Sequence, residues 1–302
     1  MRVGWKRKPE AAAARTNKGK TVLKQRIITA LVLVVLFLGL LFLVPIQWFA
    51  IAVAAIILLG GWEWANLSNL NRALRFVFLA VLGAALVGSA DYVFQMDFAH
   101  PDIGHTRQIL AVACGWWALA FLWVQGYPAS AMLWGNRWVR GLIGLVVLVP
   151  AWLSVVILRG LDHGAWLVLF VVAVVVFADV GAYFVGRKFG KRKLAREVSP
   201  GKSWEGFFGG LGACLVLALT VSILFELPMK NTVLFSFGVL VTALASVIGD
   251  LVESMFKRHR GIKDSSRILP GHGGILDRLD SLTAALPVFT MAALASELPK
   301  YL

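Results

Sequence analysis

Residues 27–44 read IITALVLVVLFLGLLFLV, an unbroken apolar run that ends at Pro45. A helix that crosses a hydrocarbon core of ~30 Å needs about 20 mostly apolar residues, and this run approaches that length. It is longer than a typical strand, and polar and apolar residues do not alternate along it. It therefore predicts a membrane helix and not a strand of a membrane barrel.

Eight further apolar runs follow the first one along the chain. Together they predict an all-α fold, a polytopic transmembrane helical bundle of about nine spans. The expected spans are residues 27–44, 47–63, 76–90, 108–126, 141–158, 164–186, 207–225, 233–250 and 279–296.

The composition agrees with a membrane protein. Of the 302 residues, 59% are hydrophobic and 15% are charged, whereas soluble domains average about 45–50% apolar and about 25% charged residues. These values exclude an ordinary soluble domain, a disordered chain and a disulfide scaffold. The net charge of +14 on so apolar a chain indicates basic loops beside a membrane. We expect membrane lipids as partners and no nucleic acid.

The distribution of Lys and Arg predicts the orientation of the spans. If the N-terminus is cytoplasmic, 26 of the 30 Lys and Arg residues fall in segments on the cytoplasmic side. Cytoplasmic loops of membrane proteins carry such an excess of positive charge. The sequence therefore predicts a cytoplasmic N-terminus and, with nine spans, a C-terminus on the opposite side.

The chain divides by its chemistry into three parts. Residues 1–26 predict a polybasic cytoplasmic tail attracted to anionic lipid, and a natural start at Val22 is an open alternative. Residues 27–163 are N-terminal membrane helices with few polar residues. Residues 164–302 are a C-terminal region in which we expect the catalytic chemistry, with cytoplasmic loops at 187–206 and 251–278.

Acidic residues in or at the ends of spans are candidate functional groups. Asp250 and Glu253 are three residues apart, as are Asp277 and Asp280, so each pair shares a helix face. Clustered carboxylates repel each other unless a cation lies between them. In sites that bind phosphates this cation is commonly Mg²⁺, held by one or two carboxylates. Asp250 and Asp277 therefore predict a Mg²⁺ site, with ion pairing to nearby Lys and Arg as the alternative. For Glu63 we favour a structural role, and for Asp179 both interpretations stay open.

The two long loops contain residues suited to phosphate binding. In SPGKSWEG (199–206), two hydroxyls and a Lys precede a glycine-rich helix start, although such a tetrapeptide is often only a turn. It lacks the GxxxxGK[ST] pattern of a Walker A loop. Loop 251–278 contains six Lys and Arg residues, and the backbone amides of its Gly271, Gly273 and Gly274 could approach an anion. Binding of anionic lipid heads is the simpler alternative there.

The stretch SMFKRHRGIKDSSRILPGHGGILDRLD (254–280) resembles the signature of the phosphatidate cytidylyltransferase family, also called CDP-diacylglycerol synthase. ADVGAYFVGRKFGK (178–191) and VSPGKSWEG (198–206) are similar to its upstream motifs, and the resemblance covers nearly the whole chain after residue 22. It is nearest to the bacterial enzymes. Val180 departs from the Ser or Thr usual in the family, so a ligand role near Asp179 is less well supported.

The resemblance implies that CTP and phosphatidic acid react to give CDP-diacylglycerol and pyrophosphate. It also implies Mg²⁺ on Asp250 and Asp277, a homodimer, and an inner-membrane location with the site facing the cytoplasm. It leaves open an additional monovalent cation. We expect catalytic roles for Asp250, Asp277, Asp280, Lys263, Asp264 and His272, and substrate contacts from Ser199, Lys202, Ser203, Glu205, Lys257, Arg258 and Arg278.

Other function classes remain as alternatives. A transporter would place charge near the middle of the bilayer, whereas these acids cluster at one face. A CTP-dependent kinase of a lipid alcohol would share the handling of CTP but release CDP instead of pyrophosphate. A CDP-alcohol phosphotransferase needs a DG…AR…G…D…D pattern that this sequence does not show.

Overall fold

The computed structural model describes residues 27–95, 97–98, 100–269 and 273–296. About 80% of this part of the chain is helical, which confirms the predicted all-α fold. The expected basic tail, the alternative start at Val22, and His272 lie outside the described residues. The helices are α1 Ile27–Leu43, α2 Ile46–Leu67, α3 Arg72–Phe94, α4 Ile103–Gln125, α5 Ala131–Trp134, α6 Arg137–Gly160, α7 Gly164–Phe189, α8 Trp204–Leu224, α9 Met229–Arg260 and α10 Leu276–Ser296.

Each of the nine predicted apolar spans overlaps a different helix, namely α1, α2, α3, α4, α6, α7, α8, α9 or α10. By length and composition, seven of the described helices could cross a membrane, namely α2, α3, α4, α6, α7, α8 and α9, and α1 is a shorter apolar helix. The chain is therefore a multi-pass membrane protein. The count of nine spans and the orientation of the N-terminus stay predictions.

Helix α6 lies at the centre of the bundle. It packs against α2, α3, α7 and α10, and Leu148, Leu153 and Ile157 along it are fully buried. The outer helices instead expose large apolar side chains, among them Val87 on α3 and Phe208 on α8. A helical bundle with a buried central helix and an apolar outer surface is suited to a lipid environment.

Two helix pairs approach closely at glycines. Against α7, a Cβ added at Gly210 of α8 would lie 2.6 Å from the carbonyl oxygen of Ala178. Against α10, a Cβ added at Gly249 of α9 would overlap the backbone carbonyl oxygen of Asp280. Small residues permit such backbone contact between membrane helices. The second contact brings the acidic residues of α9 and α10 together.

Helix α9 is longer than the sequence predicted. The expected end at residue 250 is wrong, because the helix continues to Arg260 and Gly261 caps it in a left-handed conformation (φ 72°). Val252, Met255 and Phe256 continue the apolar face and are buried, so residues 251–260 are helical although their mean hydropathy falls. Of the loop expected at 251–278, the described residues 261–269 and 273–275 are outside the helices.

The loop expected at 187–206 contains a small antiparallel hairpin. Its strands are β1 Lys193–Ala195 and β2 Ser199–Ser203, with Lys193 paired to Ser203 and Ala195 to Ser199. The tetrapeptide at 199–202 is therefore part of a strand and not an isolated turn. Ser203 also caps the N-terminus of α8, since its hydroxyl accepts a hydrogen bond from the Gly206 N–H at 3.1 Å.

Candidate active site

A buried ammonium group joins the acidic faces of α9 and α10. Lys257 Nζ lies 2.7 Å from Asp277 Oδ1 and 3.3 Å from Glu253 Oε1. Asp250, Glu253 and Lys257 recur at intervals of three and four residues, so they lie on one face of α9. A charged side chain is rarely buried unless it is paired with a group of opposite charge, as these are.

The hairpin contributes a second lysine to the same group of acids. Lys202 Nζ of β2 lies 2.6 Å from Asp250 Oδ2, and the Ser254 hydroxyl donates to Asp250 Oδ1 at 3.2 Å. The side chains of Lys202 and Asp250 are about a quarter exposed (26% and 27%), so this end of the cluster is open to solvent. Arg258 Nε donates to the Val198 carbonyl and fixes the hairpin to the end of α9.

Asp277 is held by the loop that precedes α10. Its Oδ2 accepts hydrogen bonds from the N–H groups of Gly274 at 2.8 Å and Ser265 at 2.9 Å. Asp277 lies before the apolar span that begins at residue 279. Burial raises the pKa of its carboxyl, but the hydrogen bonds from Lys257, Gly274 and Ser265 outweigh burial and hold that pKa below its ordinary value. Asp277 is therefore an anion at neutral pH.

Glu253 and Asp280 face each other deeper between the two helices. Glu253 is 2% exposed, and in the described part of the chain neither of its carboxylate oxygens accepts a hydrogen bond. Asp280 Oδ1 accepts a hydrogen bond from the N–H of the next residue, Ser281, at 2.7 Å. A buried carboxylate without donors is costly unless a cation is close, and Lys257 is that cation here.

The donor set fits a divalent metal ion chemically. Carboxylate oxygens are the ligands that Mg²⁺ prefers, and the buried oxygens of Glu253 have no competing hydrogen bond. Among the residues that the structure describes, however, no three His, Cys, Asp or Glu side chains are grouped closely enough to hold a metal together. Instead, Asp250 forms an ion pair with Lys202, and Asp277 forms one with Lys257. This ion pairing is the alternative to a metal site that the sequence left open. The Mg²⁺ site on these two acids stays a prediction.

Other candidate residues of the upstream loop hold its local structure. The Glu205 carboxylate accepts hydrogen bonds from the backbone N–H groups of Lys191 and Arg192. The Ser203 hydroxyl caps α8, and Ser199 pairs with Ala195 in the hairpin. These contacts place Lys202 beside Asp250. They do not establish a contact of Ser199, Ser203 or Glu205 with a substrate.

A cavity of about 360 Å³ opens beside the hairpin. Lys202 and Ser203 line one side of it, and Asp179, Tyr183 and Arg187 of α7 line another. The Arg187 guanidinium donates to the Tyr183 hydroxyl at 2.9 Å. The cavity thus brings Asp179 near Lys202, the partner of Asp250.

The loop between α9 and α10 presents charged residues to solvent. Lys263, Asp264 and Arg278 are exposed, while Ser265 between them is buried. Their exposure leaves these groups accessible to a ligand from solution. His272, predicted to be catalytic, is outside the described residues, so its position relative to them is not described.

The sequence gives little indication of the contacts that two residues of the site make. Its spacing places Glu253 on the same helix face as Asp250, and the structure shows that it is also the second partner of Lys257. Ser265 was not singled out, since a loop serine carries no signal of its own. Its role depends on a fold that brings residues 265, 274 and 277 together.

The fold is a bundle of membrane helices, and its candidate site combines carboxylates, lysines and a glycine-containing segment. Sites of this class are suited to phosphate-bearing substrates. The model of the cytidylyltransferase family matches residues 24–295, and the chain belongs to this family.

Individual relatives agree with this assignment. The phosphatidate cytidylyltransferase of Pseudomonas aeruginosa is 46% identical over 268 residues, which are 89% of this chain and 96% of the relative. That of Haemophilus influenzae is 44% identical over 286 residues, covering 89% of this chain and 98% of the relative. The Bacillus subtilis phosphatidate cytidylyltransferase is 47% identical over 134 residues, 43% of this chain and 48% of the relative.

Proposed function

We propose that the cluster on α9, α10 and the hairpin is the site at which this chain transfers CMP from CTP to phosphatidic acid, giving CDP-diacylglycerol and pyrophosphate. The activity follows from the family and from relatives that match along nearly their whole length. The observation that carries the location is the Lys257–Asp277 pair, which lies within the stretch 254–280 that resembles the family signature.

The reaction needs alignment and charge neutralisation more than a strong base. An oxygen of the lipid phosphate attacks the α-phosphorus of CTP, and the bond from that phosphorus to the bridging oxygen breaks as pyrophosphate leaves. The attacking oxygen is already anionic at neutral pH. The protein therefore has to hold two anionic reactants together and stabilise the charge that moves to the leaving group.

Basic residues around the cluster are placed to neutralise this charge. Lys263 and Arg278 are exposed at the loop, and Lys202 is partly exposed on the hairpin. We assign Lys202, with the nearby hydroxyls of Ser199 and Ser203, to the phosphates of CTP, and Arg258, Lys263 and Arg278 to the lipid phosphate and pyrophosphate. Lys257 is buried between carboxylates and serves mainly to hold Asp277.

Metal dependence is part of the proposal. Asp250 and Asp277 would hold Mg²⁺, with Asp280 and Glu253 beside them. When bound, the ion would supply positive charge to the CTP phosphates. The donor chemistry supports this assignment, because α9 and α10 carry four carboxylates and the Glu253 oxygens accept no hydrogen bond from the described residues.

The site is proposed to face the cytoplasm, in an inner membrane as expected for bacterial enzymes of this kind. The excess of Lys and Arg in the loops that carry the site supports this orientation. Single cysteines at Asp162 and Arg196, both exposed, would test it with Cys114 and Cys214 replaced by Ala. An impermeant thiol reagent added outside intact cells should label position 162 and not 196; the reverse pattern would contradict the orientation. A homodimer is proposed from the resemblance alone, and cross-linking in membranes would test it.

The activity itself is tested with the purified chain in detergent. CTP, phosphatidic acid and Mg²⁺ together should give pyrophosphate and CDP-diacylglycerol, and omission of any of the three should stop both products. Release of CDP with a lipid alcohol would instead identify a lipid kinase. Absence of any CTP-dependent product would refute the proposed function.

A further inference from the structure

Glu63 of α2 is a buried carboxylate with an unusual set of partners. It is 1% exposed, and the hydrogen bonds that it accepts from the described residues come from Ser265, Ser266, Ile275 and Leu276. Oε2 accepts from the Ser265 hydroxyl at 3.0 Å and the Leu276 N–H at 2.7 Å. Oε1 accepts from the Ser266 hydroxyl and from the Ile275 N–H at 3.1 Å.

These donors lie at the two ends of one loop. Ser265 and Ser266 are near its beginning, and Ile275 and Leu276 are where it enters α10. The first N–H groups of a helix have no partner within the helix, and negative charge is favourable at that end. One carboxylate from α2 therefore closes the loop and caps α10 at the same time.

Ser265 connects Glu63 to Asp277. Its hydroxyl oxygen lies 3.0 Å from Glu63 Oε2 and 3.0 Å from Asp277 Oδ2. A hydroxyl has one hydrogen and donates to one of these oxygens at a time, while the Ser265 N–H donates to Asp277 at 2.9 Å. The contacts thus form a continuous path from α2 through Ser265 to Asp277 and Lys257.

The space around these groups explains a glycine of the loop. A Cβ added at Gly274 would overlap the Ser265 hydroxyl and lie 2.6 Å from Glu63 Oε2. The Gly274 N–H also donates to Asp277 at 2.8 Å. The backbone N–H groups of Gly274, Ile275 and Leu276 therefore donate to carboxylates of the protein itself.

We propose that Glu63 is a positioning residue for the transfer reaction. By holding residues 265–266 and 275–276 together, it fixes Asp277 beside Lys257 and fixes the exposed Lys263 and Arg278 at the mouth of the site. Glu63 itself touches no substrate. The assignment to the reaction rests on the proposed function, whereas the closure of the loop rests on the hydrogen bonds alone.

The test combines proteolysis of the loop with kinetics. Lys263 and Arg267 are exposed in the loop, so trypsin reports its opening in the purified full-length chain. In Glu63→Gln, the amide group would face backbone donors, and we expect cleavage after these residues to be about tenfold faster through local opening. kcat should fall about tenfold or more while the KM for CTP changes less than about threefold, since alignment and not CTP binding is lost.

Matched variants separate the outcomes. Asp162→Asn removes an exposed carboxylate from the turn after α6 and should leave cleavage and kinetics unchanged, while Glu63→Asp should give intermediate values. Cleavage of Glu63→Gln at the wild-type rate, or faster cleavage with unchanged kcat, would overturn the positioning role. If Glu63→Gln fails to fold, Ser266→Ala decides by the same criteria, because it removes one donor and keeps the carboxylate. An inactive wild-type chain would refute the proposed function, yet the cleavage rates would still report whether Glu63 closes the loop.

Discussion

Lys257 Nζ lies 2.7 Å from Asp277 Oδ1, and this buried ion pair links α9 to α10 at the centre of the candidate site. The pair comes from residues that are 20 positions apart, so it also closes the segment between the two helices. Removing one member of a buried ion pair leaves the other charge without compensation.

The first prediction concerns this lysine. Lys257→Met should lower the free energy of unfolding by about 3–5 kcal/mol, because Asp277 and Glu253 both lose their cation. Thermal unfolding of the purified chain in detergent would measure the change as a lower Tm. Lys230→Met is the matched control, since Lys230 is exposed near the start of the same helix. Equal Tm values for both variants would contradict a stabilising role of the pair.

The second prediction concerns the close approach of α9 and α10. In Gly249→Ala the new methyl group would overlap the Asp280 carbonyl oxygen, and we expect destabilisation of about 1–3 kcal/mol through overpacking. Gly238→Ala on the same helix is the control, because its Cβ would lie 3.5 Å from the Ala292 Cβ, an ordinary contact. The Tm should fall for the first variant and stay or rise slightly for the second. A fall of similar size in both would show that the Gly249 contact is not special.

Much of the fold could be predicted because long apolar runs leave few alternatives in a membrane. The limits of α9 could not, because hydropathy falls at residue 251 while Val252, Met255 and Phe256 still pack inside the protein. The hairpin was missed for a related reason. Its strands have three and five residues, too few for a periodic pattern to distinguish them from a turn.

Part of the site was visible in the spacing of charged residues, and part was not. The spacing alone places Asp250 and Glu253 on one helix face, and Asp277 and Asp280 on another. That Lys257 would be buried between acids, and not turned toward substrate phosphates, depends on how α9 meets α10. The contacts of Glu63 join residues more than 200 positions apart, and no local pattern indicates such a connection.

The third prediction concerns Lys202 of the hairpin. Lys202→Ala removes an ammonium group from the open end of the cluster, where we place the CTP phosphates. The KM for CTP should rise about tenfold while kcat falls less, as expected for loss of binding shared by ground state and transition state. Lys193→Ala is the control, since Lys193 is an exposed lysine of β1 in the same hairpin. An unchanged KM in Lys202→Ala would remove this residue from the CTP site.

The last prediction concerns Asp277. Asp277→Asn keeps the shape of the side chain and one oxygen that can accept from the Gly274 N–H, but it removes the negative charge beside Lys257. We expect kcat to fall on the order of 10²–10³-fold, the scale typical for loss of one electrostatic group in an active site. Pyrophosphate release would measure turnover, and tryptophan fluorescence would verify that the chain is folded. Asp162→Asn should retain wild-type turnover. A folded Asp277→Asn protein with near-normal kcat would place the chemistry elsewhere, since no arrangement centred on the α9–α10 acids could tolerate that loss.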